Sequence, residues 1–313
     1  MPKKYVLTVT LNPAIDKTIQ VKNFSVGRDF RAEDITLSAG GKGLNVSRAL
    51  RDLKAPSLAT GLLGGASGDF IRRELKKEGI PNDFSWVAGE TRTNLTVIDH
   101  RRNKITRVLE KGPYVTRLEF SGFKRKFASL LKNSRYVIFS GSIPRGLPES
   151  LFAQLINTAK KKNIRALVDT SGEPLKAALR ARPFLIKPNL EEAETVLGRK
   201  LNSLLRIKEA LKYFLKSGVK IIVISMGKDG AVASNEKETW QAVAPKLKCK
   251  NNVGCGDALL AGFVYAHEHN NNFRDSFQFA VACGAANVLS LKPGAIQEKA
   301  VQKLFPKISV RPL

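Results

Sequence analysis

A three-layer α/β fold, with a mostly parallel sheet covered by helices on both faces, is the fold class that this sequence predicts. From about residue 130 onward, short β-rich runs alternate with amphipathic helical stretches, the order a doubly wound sheet produces. The chain has 313 residues, 43% of them hydrophobic, which suits one large α/β domain and leaves room for a well-buried core. Polar or glycine-rich turns follow several of the predicted strands, and strand ends of that kind line the ligand-binding edge of parallel sheets.

Taken in order, the run Tyr5 to Leu11 reads as a first strand, stopped by Asn12-Pro13. Its apolar stretch is too short for a signal peptide, and no later segment approaches the length needed to span a bilayer, so a cytoplasmic protein away from membranes is expected. Four short alternating segments, Lys17 to Val21, Asp34 to Leu37, Thr93 to Asp99 and Ile105 to Glu110, predict a small separate sheet. Helices are predicted between them at Gly43 to Leu53 and near Asp69 to Lys77. Because the four segments come from two distant regions, about 16–38 and 93–110, they read as lid insertions in a single domain spanning 1–313.

Tyr136 to Ser140 is the next strand, followed by a helix from about Pro148 to Lys162 with Leu151, Phe152, Leu155, Ile156 and Ala159 on one face. Strands at Ala166 to Asp169 and Pro183 to Ile186 precede helices at Leu190 to Leu197 and Leu204 to Leu215, and then the strand Lys220 to Ser225. Two long helices close the pattern, about Gly256 to His269 and Phe273 to Leu289, joined by Asn270-Asn271-Asn272.

The chain carries 53 Lys and Arg against 27 Asp and Glu, a formal charge of +26. Its basic clusters are scattered over predicted helix faces and turns, the usual pattern of a solvated surface. Anionic small molecules and nucleic acid are the partners such a field favours. Against nucleic acid, no recognition motif occurs and aromatics make up only 7%. Three Cys and three His, with no CxxC and no spaced cluster, argue against a disulfide framework or a zinc site.

Four segments carry chemistry. Val253-Gly254-Cys255-Gly256-Asp257 opens a helix, where free backbone N–H groups can hold a phosphate or a developing anionic oxygen. Asp257 inside that turn is either a helix cap or a general base for a hydroxyl, and GxGD alone does not choose. Gly40-Gly41-Lys42-Gly43-Leu44-Asn45 opens a second helix, where backbone and Lys42 can meet a sugar or its phosphate; GxxxxGK[ST] is absent, so it is no P-loop. Asn189 and Glu192 lie three apart at a strand's carboxyl end, fit either for Mg²⁺ through water or for a capping box. Ser225-Met-Gly227-Lys-Asp-Gly230 is a turn open to a nucleotide, or simply a hairpin.

These segments, with Thr8-Val-Thr-Leu-Asn-Pro-Ala-Ile-Asp16, Thr91-Arg92-Thr93-Asn94, Glu110-Lys-Gly-Pro113 and Ser140-Gly-Ser-Ile-Pro144, resemble the phosphofructokinase-B group of ribokinase-like carbohydrate kinases. The similarity runs in family order over nearly the whole chain. TLNPAID, TRTN and EKGP resemble the phosphosugar branch that contains 1-phosphofructokinase and tagatose-6-phosphate kinase.

The resemblance implies a ribokinase-like core with a small β-sheet lid, and ATP-dependent phosphorylation of a ketohexose phosphate. Fructose 1-phosphate is the preferred substrate, with tagatose 6-phosphate and fructose 6-phosphate as alternatives. It implies Asp257 as catalytic base and the amides of Gly254, Cys255 and Gly256 as an anion hole. Asp16, Gly40, Gly41, Lys42, Asn45, Arg92 and Asn94 would bind the sugar phosphate, Lys42 and Arg92 being the candidates for its phosphate. Asn189, Ser225, Gly227, Gly230 and Asn287 would lie near ATP, and Asn189 and Glu192 would organise Mg²⁺. A monovalent cation near Asn252 and a homodimer formed through the lid also follow from the resemblance. Cys255 departs from the usual Ala or Ser but keeps the N–H that the hole needs. The competing reading is a kinase-like fold without activity that binds nucleic acid through its basic surface.

Overall fold

The structure is a computed structural model, and it describes residues 4–269 and 271–313. Asn270, within the predicted polar connection, lies outside the described residues. The first half of the chain runs β1 (Tyr5–Thr10), β2 (Ala14–Val21), β3 (Asp34–Gly40), α1 (Lys42–Asp52), β4 (Ser57–Leu63), α2 (Gly65–Lys77), β5 (Ser85–Trp86), β6 (Arg92–Asp99), β7 (Lys104–Val108), α3 (Arg117–Leu130) and β8 (Ser134–Ser140). It continues through α4 (Leu151–Lys160), β9 (Arg165–Asp169), α5 (Gly172–Arg180), β10 (Leu185–Ile186), α6 (Leu190–Leu197), α7 (Leu204–Lys216), β11 (Ile221–Ser225), β12 (Ala231–Ser234), β13 (Thr239–Val243), α8 (Cys255–Glu268), α9 (Phe273–Val288), α10 (Glu298–Leu304) and β14 (Ser309–Pro312).

Ten strands form the central sheet in the order β14-β13-β12-β11-β10-β9-β8-β1-β4-β5. From β11 to β5 all neighbours are parallel, and β12, β13 and β14 extend one edge antiparallel. Strands buried on both faces must be apolar on both, and Val6, Leu7, Val9, Val137, Ile138 and Phe139 are all inaccessible to solvent. One face packs against α3, α4 and α5 through Phe120, Phe123, Phe127, Leu151, Phe152 and Leu175, and the other against α1, α8 and α9 through Val46, Leu50, Leu260, Phe263 and Phe277. Because these strands run parallel, the carboxyl ends of β1, β8, β9 and β11 emerge together at one edge.

The smaller sheet has the order β3-β2-β6-β7, with β2 parallel to β6 over Ala14–Val21 and Arg92–Asp99. The four alternating segments pair here as the sequence predicts, because none is apolar on both faces and all need one solvated side. Ser57–Leu63, for which the sequence predicts no element, is a central strand. In its run SLATGLL, Ser57, Thr60 and Gly61 break up the apolar residues while nearly every position is buried, so it shows neither the alternation of a half-exposed strand nor an unbroken apolar run. The antiparallel strands β12 to β14 are missed for a related reason: AVAS, TWQAV and SVRP are short and broken by polar residues.

Candidate active site

The carboxyl edge of the parallel strands gathers the predicted motifs. β1 ends at Thr10 and runs into Asn12, while β9 delivers Asp169, and both side chains are buried. Lys187 follows the two-residue strand β10 and is 4% exposed. Its Nζ lies 3.0 Å from Asp169 Oδ2, and Lys42 Nζ lies 3.0 Å from Oδ1 of the same carboxylate. Burial works against the charge on Asp169, but the two ammonium groups outweigh it and hold its carboxyl below the usual carboxylate range. Lys42 is correspondingly pushed up, first by Asp169 and then, against its own burial, by Glu192 and Asp257.

Asp257 sits in the first turn of α8 and is 5% exposed. Its Oδ2 accepts a hydrogen bond from Asn45 Nδ2 at 2.8 Å. Burial, reinforced by the nearby Asp169 charge, raises its carboxyl to about 6, with Lys42, Asn45 and Lys187 pulling the other way. That value leaves it largely ionised at neutral pH and able to accept a proton, the property a general base requires. It is not the helix cap: Gly254 occupies the N-cap with φ of +87° and no side chain caps the helix. The first-turn N–H groups of α8 are therefore available to an anion. Gly254 must be glycine twice over, for its positive φ and because a Cβ there would collide with the Gly294 backbone nitrogen. At Gly256 a Cβ would come within 2.9 Å of Lys187 Nζ, so a buried ammonium stands directly over the amide-lined turn.

The two ends of the site are joined by one short segment. Gly40 ends β3 against the Asp16 carboxylate, and five residues later Asn45 reaches Asp257. Asp16 accepts from Asn94 Nδ2 at 2.9 Å and is raised by its burial, an effect that Asn94 and the Arg48 and Arg92 charges oppose. Arg92 donates through its two terminal nitrogens to Glu110 O and Asn12 O, while its Nε has no acceptor. Thr10 Oγ1, Asn12 Oδ1, Asn94 Oδ1 and Ser140 Oγ are likewise buried without partners. Buried polar atoms rarely stay unpaired. Asn94 Oδ1 and Arg92 Nε belong to the residues beside Asp16, and a polyhydroxylated ligand bound there would supply what they lack.

The geometry bears on three of the expected roles. Lys42 and Arg92 do not converge on one phosphate: Lys42 is held by Asp169 and Glu192 beside Asp257, whereas Arg92 lies at the Asp16 end. Asn189 and Glu192 form a full capping box at the start of α6, in which Asn189 Oδ1 accepts the Glu192 N–H and Glu192 Oε2 accepts the Asn189 N–H. Asn287 is fully buried. Its amide donates to Val253 O and Cys255 Sγ and accepts from the Gly294 N–H, tying the amide-lined loop to the turn after α9. Ser225, Gly227 and Gly230 lie at the end of β11, where a short 3₁₀ turn makes the hairpin to β12.

Sequence reasoning assigned no role to Asp169, Lys187, Asn12 or Arg48. The signal for the first two was present, since a charged residue closing an apolar strand-length run marks a strand end facing a site. Arg48 carried no such signal. It is 1% exposed and donates to Asn45 Oδ1, to Glu78 and to Ala39 O, so that it fixes which way the Asn45 amide points.

The model of the pfkB family carbohydrate kinases matches residues 9–300. The chain belongs to this family. Among curated relatives of this pfkB kinase, the 1-phosphofructokinase of Borreliella burgdorferi is 38% identical over 97% of this chain and 98% of its own. The 1-phosphofructokinase of Bacillus subtilis is 34% identical over 97% and 99%. Among solved structures, phosphofructokinase-2 of Escherichia coli in complex with potassium superposes with a TM-score of 0.91 at 28% identity, covering 97% of this chain and 98% of that one. Ribokinase of Arabidopsis thaliana, at 19% identity and a TM-score of 0.81, covers 96% and 98% and shares the fold. The pfkB kinases are phosphotransferases with an alcohol group as acceptor, so the reaction class of this chain is that of a carbohydrate kinase.

Proposed function

We propose that this pfkB kinase is an ATP-dependent 1-phosphofructokinase that converts fructose 1-phosphate to fructose 1,6-bisphosphate. The observation that carries the reading is the placement of Asp257: a buried carboxylate with its pKa raised to about 6, at an uncapped helix start. In the proposed reaction the sugar hydroxyl gives its proton to Asp257 while its oxygen forms a bond to the γ-phosphorus of ATP. The bond from that phosphorus to the β-phosphate oxygen breaks, and ADP leaves with the electron pair. The amides of Gly254, Cys255 and Gly256, with Lys187 above them and Lys42 alongside, stabilise charge on the transferring group. Asp16, Asn94 and Asn12 hold the sugar, and Arg92 favours its existing phosphate. Two curated relatives that match nearly the whole chain are named 1-phosphofructokinase, and this supports fructose 1-phosphate as the acceptor.

The residues proposed for magnesium do not form a preassembled cage. Both Glu192 oxygens are engaged, one by Lys42 and one by the Asn189 N–H, and no cluster of three metal-ligating side chains occurs among the described residues. Magnesium, which would neutralise charge on the phosphates of ATP, therefore fits this site only as a hydrated ion held chiefly by the nucleotide. The small sheet exposes Ile35, Leu37, Ile105 and Val108 on its edge strands, and these support its proposed pairing with a second copy.

The test is ADP release with Mg²⁺ and ATP across fructose 1-phosphate, fructose 6-phosphate, tagatose 6-phosphate, fructose, ribose and adenosine, with Asp257→Asn as control. A clear preference for fructose 1-phosphate that disappears in the control is expected. Preference for another acceptor would overturn the substrate, and undiminished turnover in the control would overturn the base. Arg92→Ala is expected to raise the KM for the sugar phosphate far more than that for ATP; an unchanged sugar KM would remove Arg92 from phosphate binding.

A further inference from the structure

The opposite, amino-terminal edge of the central sheet holds a cavity of about 810 Å³. Lys4 before β1, Lys132 and Arg135 around the start of β8, and Lys162 and Arg165 around the start of β9 all line it. Glu268 is the single carboxylate in its lining, and burial pushes that carboxyl up towards its neutral form. None of the five cations forms an ion pair among the described residues, so all five charges are left to the cavity. Lys132 and Lys162 follow helix ends, where a cation offsets the helix dipole. Lys4, Arg135 and Arg165 are at strand starts and have no such role.

The floor of the cavity is built from ordered groups. Tyr136 is 3% exposed, and its hydroxyl pairs with His267 Nδ1 at 2.8 Å and accepts from Arg165 Nη1 at 2.9 Å. The Arg165 guanidinium also lies over the Tyr136 and Phe184 rings, 5.7 and 5.0 Å from their centroids, so one cation is fixed in place. Five positive side chains lining one cavity against a single carboxylate suit a compact ligand carrying several negative charges.

We propose that this cavity is a second anion site that takes a small polyphosphate, the class of inorganic polyphosphates and nucleotide polyphosphate tails. It is distinct from the phosphoryl-transfer site. The seven residues of β8 run from this cavity at Ser134 to the carboxyl edge at Ser140, about 20 Å at ~3.3 Å per residue.

Inorganic tripolyphosphate is the probe, titrated calorimetrically into the whole protein. A variant carrying Lys132→Gln, Arg135→Gln and Lys162→Gln is compared with a charge-matched control carrying Lys76→Gln, Lys299→Gln and Lys303→Gln, all exposed. The expected result is binding weakened at least tenfold in the first variant and less than twofold in the control. Hydrogen exchange on the wild-type protein gives an answer that needs no variant: tripolyphosphate should protect amides at 131–136 and 162–165. Equal weakening in both variants, no weakening in the first, or no protection at those segments would each overturn the site. Tighter retention of a single-stranded oligonucleotide, weakened equally by both variants, would assign the charge to a diffuse nucleic-acid surface and also overturn it.

Discussion

Replacing Asp257 with Asn should inactivate this pfkB kinase and at the same time make it more stable at alkaline pH. In the folded protein the carboxyl holds its proton up to about pH 6, whereas the ordinary value is 3.8. The folded state therefore binds more protons than the unfolded state between those two values, and stability falls as pH rises through that window and stays lower above it. The difference is about 2 pH units, and at 1.36 kcal/mol per unit the ionised, buried carboxylate costs about 3 kcal/mol. Asn keeps an oxygen to accept from Asn45 Nδ2 and carries no charge, so it relieves that cost. Urea denaturation at pH 8 should show the variant more stable by on the order of 3 kcal/mol, and the gain should shrink to about 1 kcal/mol at pH 4.5. A variant that is less stable at pH 8, or whose gain does not change with pH, would refute the claim that Asp257 is a strained charge maintained for catalysis.

The other outcomes concern the groups around that carboxylate. Asn45→Ala removes a hydrogen bond to the charged form of Asp257, a contact worth about 1.5–3 kcal/mol, so the acid limb of kcat/KM should move up by one to two pH units. A limb that stays near pH 6 would separate Asn45 from the base. Arg48→Leu leaves the buried Glu78 carboxylate with only Lys292 and the more distant Arg51, and should lower unfolding stability by about 3–5 kcal/mol in chemical denaturation. A loss under 1 kcal/mol would show that those two cations suffice. Cys255→Ala should leave kcat within about twofold while abolishing thiol-directed inhibition, because the turn offers the backbone N–H and not the sulfur. A loss of a hundredfold would give the thiol a direct part.

Most of the α/β framework was legible because its helices have one apolar stripe and most of its strands are apolar runs bounded by turn residues, and both are periodic features of the chain itself. Ser57–Leu63 and the edge strands β12 to β14 escaped because polar residues and Gly61 break their apolar residues into pieces too short to show a run or a period. Lys187 and Asp169 could have been suspected as charged residues closing apolar runs, but nothing in the sequence says that they meet.

The sequence by itself determined the fold class, the glycines that only special backbone geometry explains, and Asp257 at the opening of a helix. Tertiary structure decided which of two roles each polar residue plays. Asn189 and Glu192 satisfy one another locally, as their three-residue spacing permits, whereas Asn45 and Asp257 meet across 212 positions of chain. Lys42 turned to Asp169 and Arg92 to the Asp16 end for the same reason. A buried carboxylate such as Asp169 settles against whatever cation the packed layers bring within hydrogen-bonding reach, and the packing, not the local sequence, selects that partner.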